Sequence, residues 1–189
     1  MDWKKEIEEY VPVNEQEIKD KENILMCINN FEDVFTRKNV VCHLTSSAFV
    51  LNKNKDKALM AYHNIYKSWA WTGGHMDGDK DFLKVAFKEL KEETGLKNAK
   101  LLYNGIASLD VLPVNGHIKR GDFVSPHLHL SVAYLFEGEE DANIRIKEDE
   151  NSGVSWIPLK KLREYTKKEP FMQKVYEKIL NRIDIKTEI

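Results

Sequence analysis

Residues 73–96 read GGHMDGDKDFLKVAFKELKEETGL, and the acidic residues near the end of this stretch decide the fold prediction. Glu89, Glu92 and Glu93 are spaced i, i+3 and i+4, which places their carboxylates on one face of a helix. Like charges at this spacing repel each other unless a cation neutralises them. A divalent cation such as Mg²⁺, which binds through oxygen, would do so. The stretch therefore predicts a helix that carries a metal site.

Two glycines precede this helix, and a longer motif begins with them. Gly73 and Gly74 lack a Cβ, so their backbone can approach a ligand closely. From Gly74 onward the stretch resembles the Nudix box, G-x5-E-x7-R-E-U-x-E-E-x-G-U, in which U is a bulky aliphatic residue. The matching residues are Gly74, Glu89, Leu90, Glu92, Glu93, Gly95 and Leu96. Two positions differ, because Lys80 stands in place of the first Glu and Lys88 in place of the Arg.

The resemblance implies a fold and an activity. The fold is α/β (α+β), a mixed β-sheet sandwiched between helices with the box as a loop–helix–loop. The activity is hydrolysis of a pyrophosphate bond in a nucleoside diphosphate linked to another moiety, such as a nucleotide-sugar, an ADP-ribose-like compound or a nucleoside triphosphate. Cleavage requires charge neutralisation on the phosphate oxygens and an activated water. Carboxylates that hold Mg²⁺, or Mn²⁺ as an alternative, would supply both.

The family motif also implies roles for individual residues. Glu92 and Glu93 match the paired metal ligands, and the carbonyl of Gly73 would complete the metal shell. Glu89 matches the glutamate that either ligates metal or accepts the proton of the attacking water, and both roles stay open. Lys88 takes the place of the Arg that orients the catalytic Glu, and it keeps the charge without the planar fork of arginine.

A further carboxylate is expected from a distal loop. Many sequences of this family place it six residues before a tryptophan that opens a short strand. Glu150 precedes Trp156 by six residues and is the candidate for this metal ligand. Glu148 and Asp149 are close competitors, and a solvated acidic turn is the alternative interpretation of all three.

Because two lysines differ from the motif, the sequence leaves open how charges are paired around the metal site. Asp77, Asp79 or Asp81 could pair with Lys88, which would amount to an altered salt-bridge pattern around an intact metal site. The alternative is that Lys80 and Lys88 have abolished catalysis. The chain would then be a non-catalytic nucleotide-binding sensor.

Histidines near the box are candidates for substrate binding. His127 and His129 lie two apart, so on a strand they share a face with Ser131. His75 follows the glycine turn directly, and Gly74 would let a substrate approach the backbone there. These four residues, Gly74, His75, His127 and His129, are predicted to bind substrate. Zinc ligation is disfavoured because no third ligand is evident beside the histidine pair.

Two further pairs of residues are weaker candidates. Trp69 and Trp71 lie beside a predicted strand end, so we expect them in the core, although tryptophan can also stack on a base. Lys119 and Arg120 are expected in an exposed basic turn that could also meet phosphates.

The composition favours some classes of protein and disfavours others. The chain has 189 residues, 42% hydrophobic and 32% charged, with a formal net charge of −2. These values are typical of a globular domain and disfavour a general nucleic-acid binder. The sequence contains no apolar run long enough to span a membrane and no secretory signal, so a cytoplasmic location is expected. Cys27 and Cys42 follow no metal or redox spacing, and the context of Cys42 disfavours the remaining alternative, an isopentenyl-diphosphate isomerase.

Helical periodicity and the family resemblance together divide the chain into two parts. Residues 1–38 are predicted to be a helical extension packed on the core, with Asn14 and Glu17 as a capping box, and residues 39–189 to be the Nudix domain. The extension would cover one face of the domain, with a substrate lid or a homodimer contact as alternatives.

Strands and helices are predicted to mix within the domain. The box helix is expected at 82–94, with Asp81 as its N-cap and Gly95 as the glycine that follows its last turn. Further helices are predicted at 158–165 and from Pro170 onward. Strands are predicted at 40–51, 58–63, 100–110, 111–114, 126–136 and 154–157.

Overall fold

The computed structural model describes residues 2–119 and 121–186, so of the predicted basic pair it includes only the backbone of Lys119. The helices in these ranges are α1 (Trp3–Glu9), α2 (Glu15–Asn30), α3 (Phe82–Thr94), α4 (Leu159–Tyr165) and α5 (Pro170–Asn181). The strands are β1 (Cys42–Asn52), β2 (Lys57–His63), β3 (Ser68–Ala70), β4 (Thr72–His75), β5 (Ala99–Leu101), β6 (Ser108–Val114), β7 (His117–Lys119), β8 (Asp122–Val124), β9 (His127–Gly138) and β10 (Asn151–Pro158). The predicted α+β class is confirmed. Within the described part of the chain, the helices are too short or too polar to cross a membrane.

A mixed sheet forms the centre of the molecule. Its strand order is β10-β2-β1-β9-β5, with β3 paired to β2, β4 to β1 and β6 to β9, while β7 and β8 form a separate hairpin. β1 and β9 run parallel from the pair Cys42–Leu128 to the pair Asn52–Gly138. β4 lies antiparallel to the first half of β1. The beginning of β1 is therefore flanked by β9 on one side and β4 on the other.

Both faces of the sheet are covered by helices. Side chains alternate along a strand, so Leu44, Ala48 and Val50 of β1 face one core and Phe49 and Leu51 face the other. The first core also contains buried residues of α1, α2 and α3. The second contains buried residues of α4 and α5. Because β1 is buried on both faces, its second half is a continuous apolar run, AFVL, instead of an alternating pattern.

Several predicted element bounds were wrong, and two of them differ most from the structure. α2 ends at Asn30, and residues 31–38 form turns instead of the predicted helix. Val34 is buried there and its carbonyl accepts from Leu44 N at 2.7 Å, so the apolar pattern reflects docking of a turn on β1. The strand predicted at 100–110 is interrupted by Gly105, whose φ of +92° turns the chain between β5 and β6.

The N-terminal helices are tied to the far end of the chain by buried charges. Glu17 of α2 contacts Lys178 of α5 at 3.1 Å and Arg182 at 2.9 Å. Lys178 also contacts Asp110 of β6 at 2.6 Å. The side chains of Glu17 and Asp110 are fully buried. The predicted capping box is partly present, since Asn14 accepts from Glu17 N at 2.9 Å while the Glu17 carboxylate turns to these cations.

Candidate active site

Helix α3 presents the acidic cluster predicted from the sequence. Its bounds and both caps are as predicted: Asp81 accepts from Lys84 N at 2.9 Å, and Gly95 adopts the left-handed conformation at φ +76°. Val85 and Leu90 are buried in the first core. The helix therefore lies on the sheet with its last two turns beside β4.

Glu93 is held against the two glycines, which lie in strand β4 and not in the predicted turn. Its side chain is buried, with the residue only 4% exposed, and Oε1 accepts from Gly73 N at 2.9 Å. Burial raises the pKa of Glu93 to about 8, and the neighbouring Glu150 and Glu89 add to this shift. The backbone carbonyl of Glu93 accepts from Asn151 Nδ2 at 3.0 Å, which fixes the end of α3 to the start of β10.

Glu89 lies directly over Gly74. A Cβ at Gly74 would come within 2.5 Å of Glu89 Cδ, so only glycine leaves room for this carboxylate. Burial raises the pKa of Glu89, while Lys88, whose Nζ is 3.2 Å from Glu89 Oε1, opposes the shift. The glycines of β4 and the carboxylates thus form one packed unit.

The distal carboxylate is Glu150. Among the residues that the structure describes, oxygens of Glu89, Glu93 and Glu150 lie within 4.8 Å of one another. Glu150 is half-buried immediately before β10, whereas Glu148 and Asp149 are exposed. Of the three competitors in this acidic turn, only Glu150 therefore joins the helix carboxylates.

Glu92 lies outside this group of three. Its side chain is 43% exposed, and its oxygens lie 3.9 Å from Lys88 Nζ and 3.6 Å from Lys147 Nζ. Lys147 also contacts Glu150 at 2.9 Å. Sequence reasoning missed Lys147, because its approach to Glu92 depends on how the loop before β10 folds back onto α3, which no local pattern encodes.

The lysines that depart from the motif contact other partners than the sequence suggested. Lys88 pairs with Glu89 and Glu92, not with the acidic residues at 77, 79 and 81. Asp77 pairs with Arg37 at 2.7 Å. Lys80 Nζ lies 5.9 Å from the ring centroid of Phe35, a cation–π distance.

Histidines converge beside the glycines of β4. His43 of β1 is directly opposite His129 of β9 in the parallel ladder, and His75 ends β4. The ring centroids of His75, His127 and His129 lie 4.9, 4.9 and 5.1 Å from that of His43. The imidazole of His43 therefore accompanies the predicted pair, which the sequence did not indicate. The sequence did not indicate His43 because it lies in a buried strand, and residue spacing does not show which strand pairs with it.

The two tryptophans near the turn have packing roles. Trp69 and Trp71 both pack against the second core. The ring of Trp71 meets that of Tyr176 edge to face, with centroids 5.6 Å apart. This agrees with the core role expected for both residues.

Comparison with known proteins identifies a family. A family model described as NUDIX domain matches residues 43–179. An RNA pyrophosphohydrolase from Pelagibacter ubique (strain HTCC1062) is 30% identical over 118 residues, which cover 60% of this chain and 74% of that protein.

Solved structures share the fold. A MutT protein from Methanosarcina mazei Go1 matches with a TM-score of 0.56 and 16% identity, over 77% of this chain and 97% of the other. An Ap4A hydrolase from C. elegans matches with a TM-score of 0.55 and 14% identity, over 74% and 96%. The NUDIX domain of Shewanella oneidensis NrtR, complexed with ADP ribose, matches with a TM-score of 0.51 and 16% identity, over 82% and 97%.

Proposed function

The chain belongs to the Nudix family of pyrophosphohydrolases that act on nucleotide derivatives, and from this premise we propose that it is a Mg²⁺-dependent hydrolase of small nucleotides. The proposed substrate is a nucleoside diphosphate linked to another moiety, or a nucleoside triphosphate. We also propose that residues 39–189 are the Nudix domain and residues 1–38 an extension of it. The family match over residues 43–179 supports this division.

The proposal rests on three carboxylates that lie close together. Glu89, Glu93 and Glu150 place carboxylate oxygens within 4.8 Å of one another beside Gly73 and Gly74 of β4, which have no side chains. Three like charges in a half-buried site are unfavourable without a cation, and Glu150 and Glu89 add to the rise that burial causes in the pKa of Glu93. An all-oxygen donor set suits Mg²⁺ or Mn²⁺.

The proposed metal-binding set contains five residues. Glu93 of α3 and Glu150, which immediately precedes β10, are ligands, and Glu92 is a ligand at the exposed rim. The carbonyl of Gly73 belongs to the same set, since the N–H of this residue already fixes Glu93. Glu89 either completes the set or accepts a proton from the attacking water.

The residues of the site are proposed to have separate roles in the reaction. Bound Mg²⁺ would neutralise phosphate oxygens and acidify a water. Glu89 is held by packing against Gly74, and burial raises its pKa, which makes its carboxylate a stronger proton acceptor. Lys88 contacts the carboxylate of Glu89 and is proposed to orient it. Gly74, together with the histidines at 75, 127 and 129, is proposed to contact the substrate.

A panel of nucleotide substrates with Mg²⁺ tests the proposal. We expect release of phosphate or nucleotide from at least one compound, and loss of turnover in Glu93→Gln and Glu150→Gln. Glu148→Gln is the matched control, because Glu148 is exposed two residues away in the same turn. Turnover that survives Glu93→Gln would refute the proposed site.

The same panel separates the two roles of Glu89. If Glu89 is a metal ligand, Glu89→Gln weakens Mg²⁺ binding. If it is the base, the variant lowers kcat while Mg²⁺ binding is retained.

A nucleotide sensor is the second candidate function. Lys147 contacts both Glu92 and Glu150, so a protein cation already neutralises part of the acidic site. Tight nucleotide binding without turnover across the panel would favour the sensor over the hydrolase.

A further inference from the structure

Three imidazoles from three different strands meet on one side of the sheet. Ring nitrogens of His43, His75 and His129 lie within 4.8 Å of one another in the described part of the chain. His43 is on β1, His75 on β4 and His129 on β9, and all three strands are hydrogen-bonded in the central sheet. The cluster is therefore held by the backbone ladders at the centre of the fold.

His43 is oriented as metal-binding histidines commonly are. Its Nδ1 lies 3.0 Å from the carbonyl oxygen of Asn39, so an Nδ1–H would donate there and leave the lone pair on Nε2. His43 is only 4% exposed, and its Nε2 is a buried atom with no hydrogen-bond partner among the described residues. A buried polar atom without a partner is costly, and a metal ion would remove that cost.

Burial also keeps His43 in the ligand form. Burial lowers the pKa of His43, and the neighbouring His127 lowers it further. Burial thus favours the neutral imidazole, which is the form that binds metal.

His127 extends the cluster. Its Nδ1 lies 2.9 Å from the carbonyl oxygen of Ser125, which again leaves Nε2 for another contact. His127 Nε2 is 3.3 Å from His129 Nε2.

We propose that His43, His75 and His129 form a binding site for a transition-metal ion of the Zn²⁺ class, with His127 beside its fourth position. Imidazole donors suit Zn²⁺ and disfavour Mg²⁺, which takes oxygen ligands. The site goes beyond the proposed hydrolase centre, which is built from carboxylates.

The carboxylate of Glu89 and the ring of His75 lie on opposite faces of β4. A Cβ at Gly74 would meet Glu89, so that residue faces α3. Side chains alternate along a strand, so the adjacent His75 points to the other face. Three protein ligands leave a coordination position for water or for a substrate oxygen.

Zinc titration in excess Mg²⁺ tests the proposal without relying on activity. Mg²⁺ occupies carboxylates, so calorimetry with Zn²⁺ should report one tight equivalent per chain. Co²⁺ in its place should give the visible bands of a tetrahedral site. We expect His43→Ala, His75→Ala and His129→Ala each to weaken Zn²⁺ binding by at least about 100-fold.

Two controls locate the ion. His117→Ala should leave Zn²⁺ binding unchanged, because this histidine lies on the separate β7–β8 hairpin. Glu93→Gln should also leave it unchanged if the ion is held by imidazoles. Circular dichroism checks that each variant folds, and the partly exposed His75 and His129 keep the test valid if the variant of buried His43 does not fold.

Three outcomes would contradict the proposed Zn²⁺ site. The proposal is overturned if no Zn²⁺ binds in excess Mg²⁺, or if binding survives both His75→Ala and His129→Ala. Loss of Zn²⁺ binding in Glu93→Gln would place the ion at the carboxylates instead. None of these results depends on whether the chain hydrolyses nucleotides.

Discussion

Replacing Lys178 by methionine removes the cation at the centre of the buried charge cluster. Lys178 Nζ contacts Asp110 at 2.6 Å, Gln16 Oε1 at 3.0 Å and Glu17 at 3.1 Å. Its side chain is 4% exposed and the two carboxylates are fully buried. Methionine has a similar length, so the variant tests the charge with little change in packing volume.

The expected loss of stability comes from the buried carboxylates that lose their cation. Removing one partner of a buried ion pair costs about 3–5 kcal/mol, because the other charge is left uncompensated. Arg182 still contacts Glu17 at 2.9 Å, so Asp110 bears most of the loss and the lower value applies. For a chain of this size about 3 kcal/mol lowers Tm by about 6–12 °C.

Thermal unfolding followed by calorimetry at pH 7 measures this loss. Lys174→Met is the matched control, because Lys174 is an exposed lysine on the same helix, and it should change stability by less than about 0.5 kcal/mol. Adding Asp110→Asn to Lys178→Met should recover part of the loss. A Tm for Lys178→Met equal to that of the control would refute the reasoning.

Three further predictions concern the candidate active site. Gly74→Ala should lower turnover about 100-fold by displacing Glu89, with the protein still folded by circular dichroism; unchanged turnover would contradict the packing argument. Because burial raises the pKa of Glu93 from 4.5 to about 8, its contribution to the stability of the metal-free protein is present below pH 4.5 and is lost as the pH rises through about 8. Melting curves in a chelator should show this decline in the wild type and not in Glu93→Gln. Lys88→Met should lower kcat about fivefold, whereas Lys88→Arg should leave kcat unchanged. The expected effect is small because the pair with Glu89 is partly exposed. A kcat for Lys88→Met equal to that of the wild type would exclude an orienting role.

The sequence alone was sufficient for the helix that carries the carboxylates. The caps at Asp81 and Gly95 and the apolar positions Val85 and Leu90 lie on one short segment, and local backbone geometry links them. The placement of Glu89 and Glu93 on one face of that helix follows from its period. Such features need no knowledge of distant contacts.

Only the tertiary structure decided which distant groups complete each cluster. Glu150 was one of three adjacent acidic residues, and the loop before β10 half-buries it while Glu148 stays exposed. His43 joins His129 because β1 and β9 pair in parallel, although the two strands are far apart along the chain. Strand register and loop closure depend on the packing of the whole chain, so no local pattern determines them.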